Sequence, residues 1–304
     1  RDNLPSKEAM LRPSVFDASS SVSRFKKWIV KTAYDQVSFL HPKRSVMQQV
    51  TDKPKVVVVM PAYNAAKTLR ITYDAIPKGD VDHVILVDDG SRDETLKIAK
   101  ELKLEVFVHA RNFGYGGNQK TCYTEALKAG ADIVVMLHPD YQYDPTLLPK
   151  VIAPIKAGGA DIVLGSRLLG GDVVQQGMPW WKYVVNRFLT GVQNWILGQK
   201  LAEYHTEYRA FSRRVLEEVP FLLNSDNFVF DQEMLVQAIH LGFRIEEVPV
   251  PTRYFSEASS TSFNASVVYG LSILALLFRF LLHRHELLTQ KQFECFPARY
   301  RRAE

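Results

Sequence analysis

The stretch IVVMLHPDYQYDP, residues 133–145, runs from an apolar segment into a cluster of oxygen-bearing side chains. The segment from Ile133 to Leu137 predicts a strand that is buried on both faces, as in a parallel sheet. Pro139 cannot donate to a sheet ladder, so we expect the chain to leave the sheet there. Ligands of open α/β sheets bind beyond the carboxyl ends of strands. Asp140 is therefore either a ligand of a divalent cation or part of a polar turn before the next helix.

The chain on both sides of this stretch alternates predicted strands with predicted helices. Further apolar, β-branched runs lie at residues 56–60, 84–87, 106–108 and 162–164. Apolar residues with helical spacing lie between them, at residues 65–76, 95–102 and 119–129. This alternation predicts an α/β fold with a mostly parallel, doubly wound sheet flanked by helices. Towards the C terminus we predict helices at 180–197, 230–241 and 266–283 and a last strand at 245–250.

The composition bears on the binding partners of the protein and on the cellular compartment in which it is found. The 304 residues include 38 Lys and Arg against 33 Asp and Glu, a small excess without a basic stripe, so we expect no nucleic-acid partner. Cys122 and Cys295 match no metal spacing and predict free thiols in a reducing compartment. No N-terminal signal pattern is present, although the first residue is not Met. These features predict a cytoplasmic protein.

Polar clusters follow four of the predicted strands, at residues 61–64, 88–91, 138–142 and 165–167. Each cluster alone could be a turn, since Asn, Asp, Gly and Ser favour turns for local reasons. Parallel strands, however, place all four clusters along one edge of the sheet. The coincidence therefore favours a single cleft lined by these residues.

Two of these loops have more specific interpretations. The adjacent carboxylates of Asp88 and Asp89 suit hydrogen bonds to a base edge and to ribose hydroxyls, or one of them caps the following helix. The glycine-rich stretch at residues 111–117 lacks the Gly-Lys-Ser/Thr ending of a P-loop. We expect it to form a turn that lets a ligand approach the backbone.

Three motifs follow one another in the chain: VVMPAYN (58–64), VDDGSRD (87–93) and DYQYDP (140–145). In this order they resemble family 2 glycosyltransferases of the GT-A fold, particularly dolichol-phosphate mannose synthases and bacterial polyprenyl-phosphate sugar transferases. Weaker matches are GSR (165–167), YRAFSR (208–213) and EEVPV (246–250). The resemblance covers residues 55–253 and implies a GT-A fold.

The resemblance also implies roles for individual residues. The residues implied to bind a nucleoside diphosphate sugar, such as a UDP- or GDP-sugar, are Pro61, Ala62, Tyr63, Asn64, Asp88, Asp89, Gly117 and Asp140. Asp140 would bind Mg²⁺ or Mn²⁺, with Gln142 and His138 as further candidate ligands. The arginines implied to meet phosphate oxygens or the acceptor are Arg167, Arg209 and Arg213. A surface ion pair is the alternative for each arginine.

Two positions depart from the family pattern. The first Asp of the usual Asp-x-Asp is His138 here, which either weakens metal binding or supplies a nitrogen ligand better suited to Mn²⁺. Glu207 stands where the family has a glycine, and it puts a carboxylate near the expected acceptor pocket. Glu207 therefore argues against an anionic acceptor or implies a different loop.

The implied reaction is inverting transfer of a sugar to a polyprenyl phosphate. A saccharide hydroxyl is the alternative acceptor, and a non-catalytic regulator that binds nucleotide sugars is the alternative of another class. Asp231 and Glu233 are candidate bases for a hydroxyl acceptor, with Arg209 beside them as a catalytic candidate. A helix cap with a first-turn acid is the other interpretation of the two acids.

The predicted organisation has three parts. An arm and an amphipathic helix occupy residues 1–50, and the glycosyltransferase domain occupies 51–255, with a nucleotide half at 51–167 and an acceptor half at 168–255. The tail, 256–304, holds an apolar helix interrupted by Arg279. No run reaches 18 uninterrupted apolar residues, so we expect the helix to lie at a membrane surface rather than to span it. Core packing and a homo-oligomer contact are the alternatives.

Overall fold

The computed structural model describes residues 53–171, 173–253 and 263–294, and all structural statements refer to these residues. They belong to a compact unit that begins at Lys53. The predicted N-terminal arm and helix lie outside the described residues, as does Cys295. Cys122 is buried and free.

Seven strands form one sheet at the centre of the described chain. They are β1 (Val56–Ala62), β2 (His83–Asp88), β3 (Glu105–Val108), β4 (Ile133–Met136), β5 (Ile162–Ser166), β6 (Arg209–Ser212) and β7 (Ile245–Pro249). Their order is β3-β2-β1-β4-β6-β5-β7, and β6 alone runs antiparallel to its neighbours. The prediction of a mostly parallel sheet is confirmed, whereas the sequence patterns do not predict β6.

Helices cover both faces of this sheet. They are α1 (Leu69–Asp74), α2 (Thr95–Glu101), α3 (Tyr115–Lys128), α4 (Leu148–Lys156), α5 (Trp180–Leu197), α6 (Arg213–Glu218), α7 (Phe230–His240) and α8 (Phe263–Arg284). Side chains of a strand alternate between its two faces. Accordingly, Val57 and Val59 belong to one buried apolar cluster, and Val56 and Val58 belong to the other. Burial on both sides explains the uninterrupted β-branched run of β1.

The strand directions bring the predicted polar clusters to one edge. β1, β2, β4 and β5 all point the same way, so their carboxyl ends lie together. Because β6 runs in the opposite direction, its first residue, Arg209, also lies at this edge, opposite Met136 and Leu164. Its last residue, Ser212, pairs with Ile133 near the other edge.

The C-terminal helix α8 is longer than the predicted 266–283. Residues 265–284 are long and apolar enough to cross a membrane, by length and composition only, and 22% of the most apolar part is buried inside the protein. This finding corrects the prediction that no segment reaches spanning length. Small polar residues and Arg279 interrupt the apolar run without lowering its average below that of a spanning helix.

Candidate active site

The loops that follow β1 and β2 are joined by hydrogen bonds. The Asp89 N–H donates to the Ala62 carbonyl (2.8 Å), the Asn64 N–H donates to Ser91 Oγ (2.8 Å), and the Arg92 N–H donates to Asn64 Oδ1 (2.9 Å). Asn64 has φ 53°, in the left-handed region that asparagine tolerates better than most residues. The two clusters predicted to bind nucleotide are therefore adjacent. Pro61 and Ala62 are buried within them, and the ring of Tyr63 is exposed.

Asp88 retains an unused acceptor at this edge. Its Oδ2 accepts from the N–H groups of Gly90 (3.2 Å) and Ser91 (3.0 Å). Its Oδ1 is buried and has no hydrogen-bond partner among the described residues. A buried oxygen without a partner is costly unless a ligand or water supplies a donor. This geometry is consistent with the predicted nucleotide contact.

Asp89 differs from its neighbour because both of its carboxylate oxygens are engaged. Oδ1 accepts from the Phe113 N–H (2.8 Å) and from Nδ1 of His109 (2.7 Å), and Oδ2 accepts from the Gly114 N–H (3.0 Å). The structure therefore uses Asp89 to hold the loop that leads into α3. A nucleotide that binds the Asp89 carboxylate would have to compete with these three hydrogen bonds.

The glycine-rich stretch packs closely against the chain itself. A Cβ on Gly114 would lie 2.6 Å from the Asp226 carbonyl oxygen, and one on Gly116 would lie 2.4 Å from the Ser225 carbonyl oxygen. A Cβ on Gly117 would lie 3.0 Å from the Phe113 Cβ. The backbone that approaches Gly114 and Gly116 is thus the loop at 225–226, and the contact of Gly117 with a nucleotide stays a prediction.

Asp140 lies half-buried beyond the end of β4, as predicted. Its Oδ1 accepts from the Gln142 N–H (3.0 Å), and burial, followed by the nearby Glu207 carboxylate, raises the pKa of Asp140. Crowded carboxylates of this kind fit a divalent cation. Among the described residues, no three His, Cys, Asp or Glu side chains form a ready metal site. Asp140 would therefore hold a cation together with phosphate oxygens and water, as Mg²⁺ commonly is held.

His138 faces Tyr115 in the same turn. The two rings stack with centroids 5.4 Å apart and an interplanar angle of 7°, and His138 Nε2 lies 3.5 Å from Tyr115 Oη. Burial lowers the pKa of His138, so the ring is neutral. A neutral imidazole can ligate a metal, but here the ring nitrogen is directed towards a tyrosine hydroxyl.

A buried ion pair lies beside this turn. Arg209 Nη1 is 2.9 Å from Asp231 Oδ1, and the Tyr115 hydroxyl donates to Asp231 Oδ2 (2.7 Å). Arg209 Nε also donates to the Thr206 carbonyl (2.7 Å). Burial lowers the pKa of Arg209, but Asp231 and the nearby tyrosines together raise it by more, so the guanidinium stays charged. The structure thus brings Arg209 and Asp231 together, and Tyr115 is a third member that sequence reasoning missed.

Glu233 is directed away from Asp231. Residues two apart on a helix point about 200° apart, so the two acids at the start of α7 cannot face one site. Glu233 is buried and accepts from the Ser225 N–H (2.8 Å) and Ser225 Oγ (2.7 Å). Its other oxygen lies 3.5 Å from Arg279 Nη2 of α8. The structure therefore places Glu233 against the 225–226 loop and α8, apart from the Arg209–Asp231 pair.

The remaining two predicted arginines are also engaged. Arg167 forms an ion pair with the buried Glu203, with Nε 2.9 Å from Oε1, and donates to the His205 carbonyl (2.8 Å). Arg213 lies just after β6, at the opposite edge of the sheet, where its Nε is 2.7 Å from Glu217. The antiparallel direction of β6 separates Arg213 from Arg209, so the structure does not bring these two predicted arginines together, and Arg213 forms a surface ion pair.

Glu207 lies in the same site. Its N–H donates to the hydroxyl of Tyr143, which belongs to the turn that carries Asp140 (3.2 Å). Burial, followed by Asp231, raises the pKa of Glu207. The carboxylate that departs from the family pattern is therefore an electrostatic neighbour of both Asp140 and Asp231.

Comparison with known proteins identifies the family of the chain. A model of glycosyl transferase family 2 matches residues 57–220. The UDP-N-acetylglucosamine–dolichyl-phosphate N-acetylglucosaminyltransferase of Methanococcus voltae is 28% identical over 241 residues, which are 74% of this chain and 96% of that protein. The polyprenol monophosphomannose synthase of Mycolicibacterium smegmatis is 28% identical over 207 residues, which are 64% of this chain and 76% of that protein.

Solved structures agree on the fold. The glucosyl-3-phosphoglycerate synthase of Mycobacterium tuberculosis, in complex with Mn²⁺, UDP and glucosyl-3-phosphoglycerate, superimposes with a TM-score of 0.59 at 20% identity. The match covers 80% of this chain and 85% of the other. The predicted GT-A type of fold is thus confirmed. Sequence motifs, sheet topology and relatives together show that this chain is a glycosyltransferase and belongs to glycosyl transferase family 2.

Proposed function

We propose that the protein transfers a sugar from a nucleoside diphosphate sugar, such as a UDP- or GDP-sugar, to a polyprenyl phosphate at a membrane surface, with inversion at the anomeric carbon. The relatives named above as acting on dolichyl phosphate and as making polyprenol monophosphomannose support this acceptor. The observation that carries the proposal is the apolar face that α5 and α8 expose to solvent, where a lipid acceptor would be met. We predict that the protein is located at the cytoplasmic face of a membrane.

The exposed face of these helices has the composition of a lipid contact. On α5, Trp180 is 70% and Trp195 83% exposed, and on α8, Val268 is 64% and Phe278 61% exposed. Neither helix contains Asp or Glu, whereas both contain basic residues. Exposed aromatic and aliphatic side chains on helices whose charged residues are all basic fit an anionic bilayer surface.

The charges of the site support a divalent metal. Burial raises the pKa of Asp140 and of Glu207, and a neighbouring carboxylate raises each further, Glu207 for Asp140 and Asp231 for Glu207. A divalent cation beside these buried acids would stabilise their ionised forms. Asp140 would hold the Mg²⁺ or Mn²⁺, which supplies a positive charge that stabilises the departing diphosphate.

A saccharide hydroxyl is the second candidate acceptor, and one observation favours it. The three arginines predicted to meet an anionic acceptor are engaged with Glu203, Asp231 and Glu217. A hydroxyl acceptor needs a base within hydrogen-bond reach, and Glu207 and Asp231 are the carboxylates that the site offers. A phosphate acceptor is already anionic and needs none.

A comparison of acceptors tests the proposal. Purified protein is supplied with Mn²⁺ and a panel of UDP- and GDP-sugars. Three acceptors are compared: vesicles with a polyprenyl phosphate, vesicles with the corresponding free polyprenol, and lipid-only vesicles to which a soluble disaccharide is added. We expect transfer to the polyprenyl phosphate alone. Transfer to the disaccharide without transfer to the polyprenyl phosphate would overturn the proposal in favour of the hydroxyl acceptor.

The metal site has a separate test that does not depend on turnover. Binding of UDP or GDP raises the melting temperature, by more the tighter the binding, and Mn²⁺ should increase that shift. We expect Asp140→Asn to lose the Mn²⁺-dependent part of the shift. Asp144→Asn is the matched control, because Asp144 caps the next helical turn and Asn caps equally well. An unchanged Mn²⁺-dependent shift in Asp140→Asn would remove Asp140 from the metal site.

A further inference from the structure

Three consecutive residues at the start of α7 contact either the candidate active site or helix α8. Asp231 forms the ion pair and the tyrosine hydrogen bond of the site. Gln232 Nε2 donates to the hydroxyl of Tyr269 on α8 (2.8 Å). Glu233 lies 3.5 Å from Arg279, also on α8. One helical turn therefore joins the candidate active site to the helix with the exposed apolar face.

The contact at Gln232 is part of a buried polar cluster. Gln232 is fully buried, and its Oε1 accepts from Gln193 Nε2 of α5 (2.7 Å). Its Nε2 also donates to the Tyr204 carbonyl (3.1 Å), which in turn accepts from Arg209 Nη2 (3.3 Å). Buried polar side chains with several partners hold a single geometry, because any displacement leaves a polar atom unpaired. Movement of α8 or α5 would therefore displace Gln232.

The two sides of α8 are different in character. Its inward side packs into the core through Ile273, Leu276 and Leu277, and Tyr269 and Arg279 supply the polar contacts to α7. Its outward side exposes Val268, Leu271 and Phe278, among other apolar residues. A bilayer bound to the outward side would thus restrain the same helix that holds Gln232 and Glu233 in place.

We infer that α8 is a positioning element of the enzyme and that Tyr269 is its main positioning residue. Attachment of α8 to a bilayer sets the position of the first turn of α7, and through it the alignment of Asp231 with Arg209 and Tyr115. This inference rests on the proposed lipid-surface function. It adds that the bilayer does more than supply the acceptor, because it also orders the site.

Tyr269→Phe tests the coupling, because it removes one hydroxyl and keeps the ring. We expect kcat to fall about tenfold, the loss typical of a mispositioned catalytic group, with KM for the nucleotide sugar unchanged. Tyr73→Phe on α1 is the matched control and should keep the wild-type kcat. Arg279→Gln should lower kcat in the same way, and Arg279→Lys should recover it, since lysine can still pair with Glu233. Equal kcat in the Tyr269 and Tyr73 variants, or a loss of nucleotide affinity in parallel with kcat, would refute the inference.

Hydrogen exchange separates this inference from the proposed function, since it needs no turnover. Anionic vesicles added to the wild type should slow amide exchange in α8 and also in residues 230–240 of α7. In Tyr269→Phe, the protection of α8 should remain and that of α7 should disappear. Protection of α8 alone in the wild type would refute the coupling and leave the membrane contact standing. No protection in either helix would refute the membrane contact itself.

Discussion

Gly116→Ala replaces a helical glycine whose surroundings leave no room for a methyl group. Glycine in a helix normally costs about 0.5–1 kcal/mol relative to alanine, so propensity alone predicts that the change stabilises the protein. The structure instead predicts that Gly116→Ala destabilises the protein. The new Cβ would lie 2.4 Å from the Ser225 carbonyl oxygen and 2.8 Å from the Phe230 Cβ. The nearer atom belongs to the backbone, so it cannot rotate away.

The loop that must yield is held by other contacts. Ser225 donates twice to Glu233, and Asp226 Oδ1 lies 2.6 Å from Lys120 Nζ. Overpacking of this kind costs about 1–3 kcal/mol, and the rigid backbone contact favours the upper end. After the gain in helix propensity, we expect a net loss of about 2 kcal/mol, or about 4–8 °C in Tm.

Gly191→Ala is the matched control. Gly191 lies in α5, and a Cβ there would meet nothing within 4 Å. We therefore expect this variant to gain about 0.5–1 kcal/mol from propensity alone. Urea denaturation followed by intrinsic fluorescence measures both changes. A Gly116→Ala variant as stable as the wild type, or more stable, would show that the 225–226 loop moves freely and would refute the close-packing argument.

Three further results are expected. Asp231→Asn leaves the buried Arg209 charge without its partner and should cost about 3 kcal/mol in urea denaturation, whereas Glu217→Gln, in an exposed pair, should cost less than about 1 kcal/mol. Burial lowers the pKa of His205 to about 4. As the pH falls from 6.5 to 4, the imidazole is therefore protonated in the unfolded chain before it is protonated in the folded protein. The free energy of unfolding should fall over this interval, by at most about 1.4 kcal/mol per pH unit. A smaller slope in His205→Gln over that interval checks this assignment, and an equal slope contradicts it. Arg213→Gln should leave turnover unchanged, and a large loss would return Arg213 to the site.

The sequence predicts those strands that are buried on both faces, because such strands are continuous apolar runs. β1 is predicted within two residues at its end, and all the clusters at strand ends meet at one edge. β6 is not predictable in this way. It has four residues, its ends are Arg209 and Ser212, and it is a strand only because β4 and β5 pair with it on both sides. Tertiary pairing, rather than local pattern, creates that element.

The start of α3 shows the same limit. Three glycines lower helix propensity, so the pattern predicts a start at Gln119, whereas the helix begins at Tyr115. The Gly116 N–H donates to the Asp226 carbonyl (2.9 Å), a contact with a loop more than a hundred residues away in sequence. Tyr115 thereby enters the site. The sequence marks Tyr115 only as an aromatic residue within a glycine-rich stretch. Its contacts with Asp231 and His138 depend on the assembled fold.

The two departures from the family pattern, His138 and Glu207, look independent in the sequence, but both lie near the turn that carries Asp140. His138 is two residues before Asp140 in the chain. Glu207 lies just before β6, which pairs antiparallel with β4 and starts with Arg209 opposite Met136. The contact of the Glu207 N–H with Tyr143, and the effect of Glu207 on the pKa of Asp140, place the carboxylate at the same turn. A carboxylate that is absent from position 138 is thus supplied near Asp140 by the segment before β6, and the edge retains two acidic groups in addition to Asp231. The loss of an Asp in the metal motif therefore does not by itself argue for weaker cation binding, because Glu207 offers a second carboxylate beside Asp140.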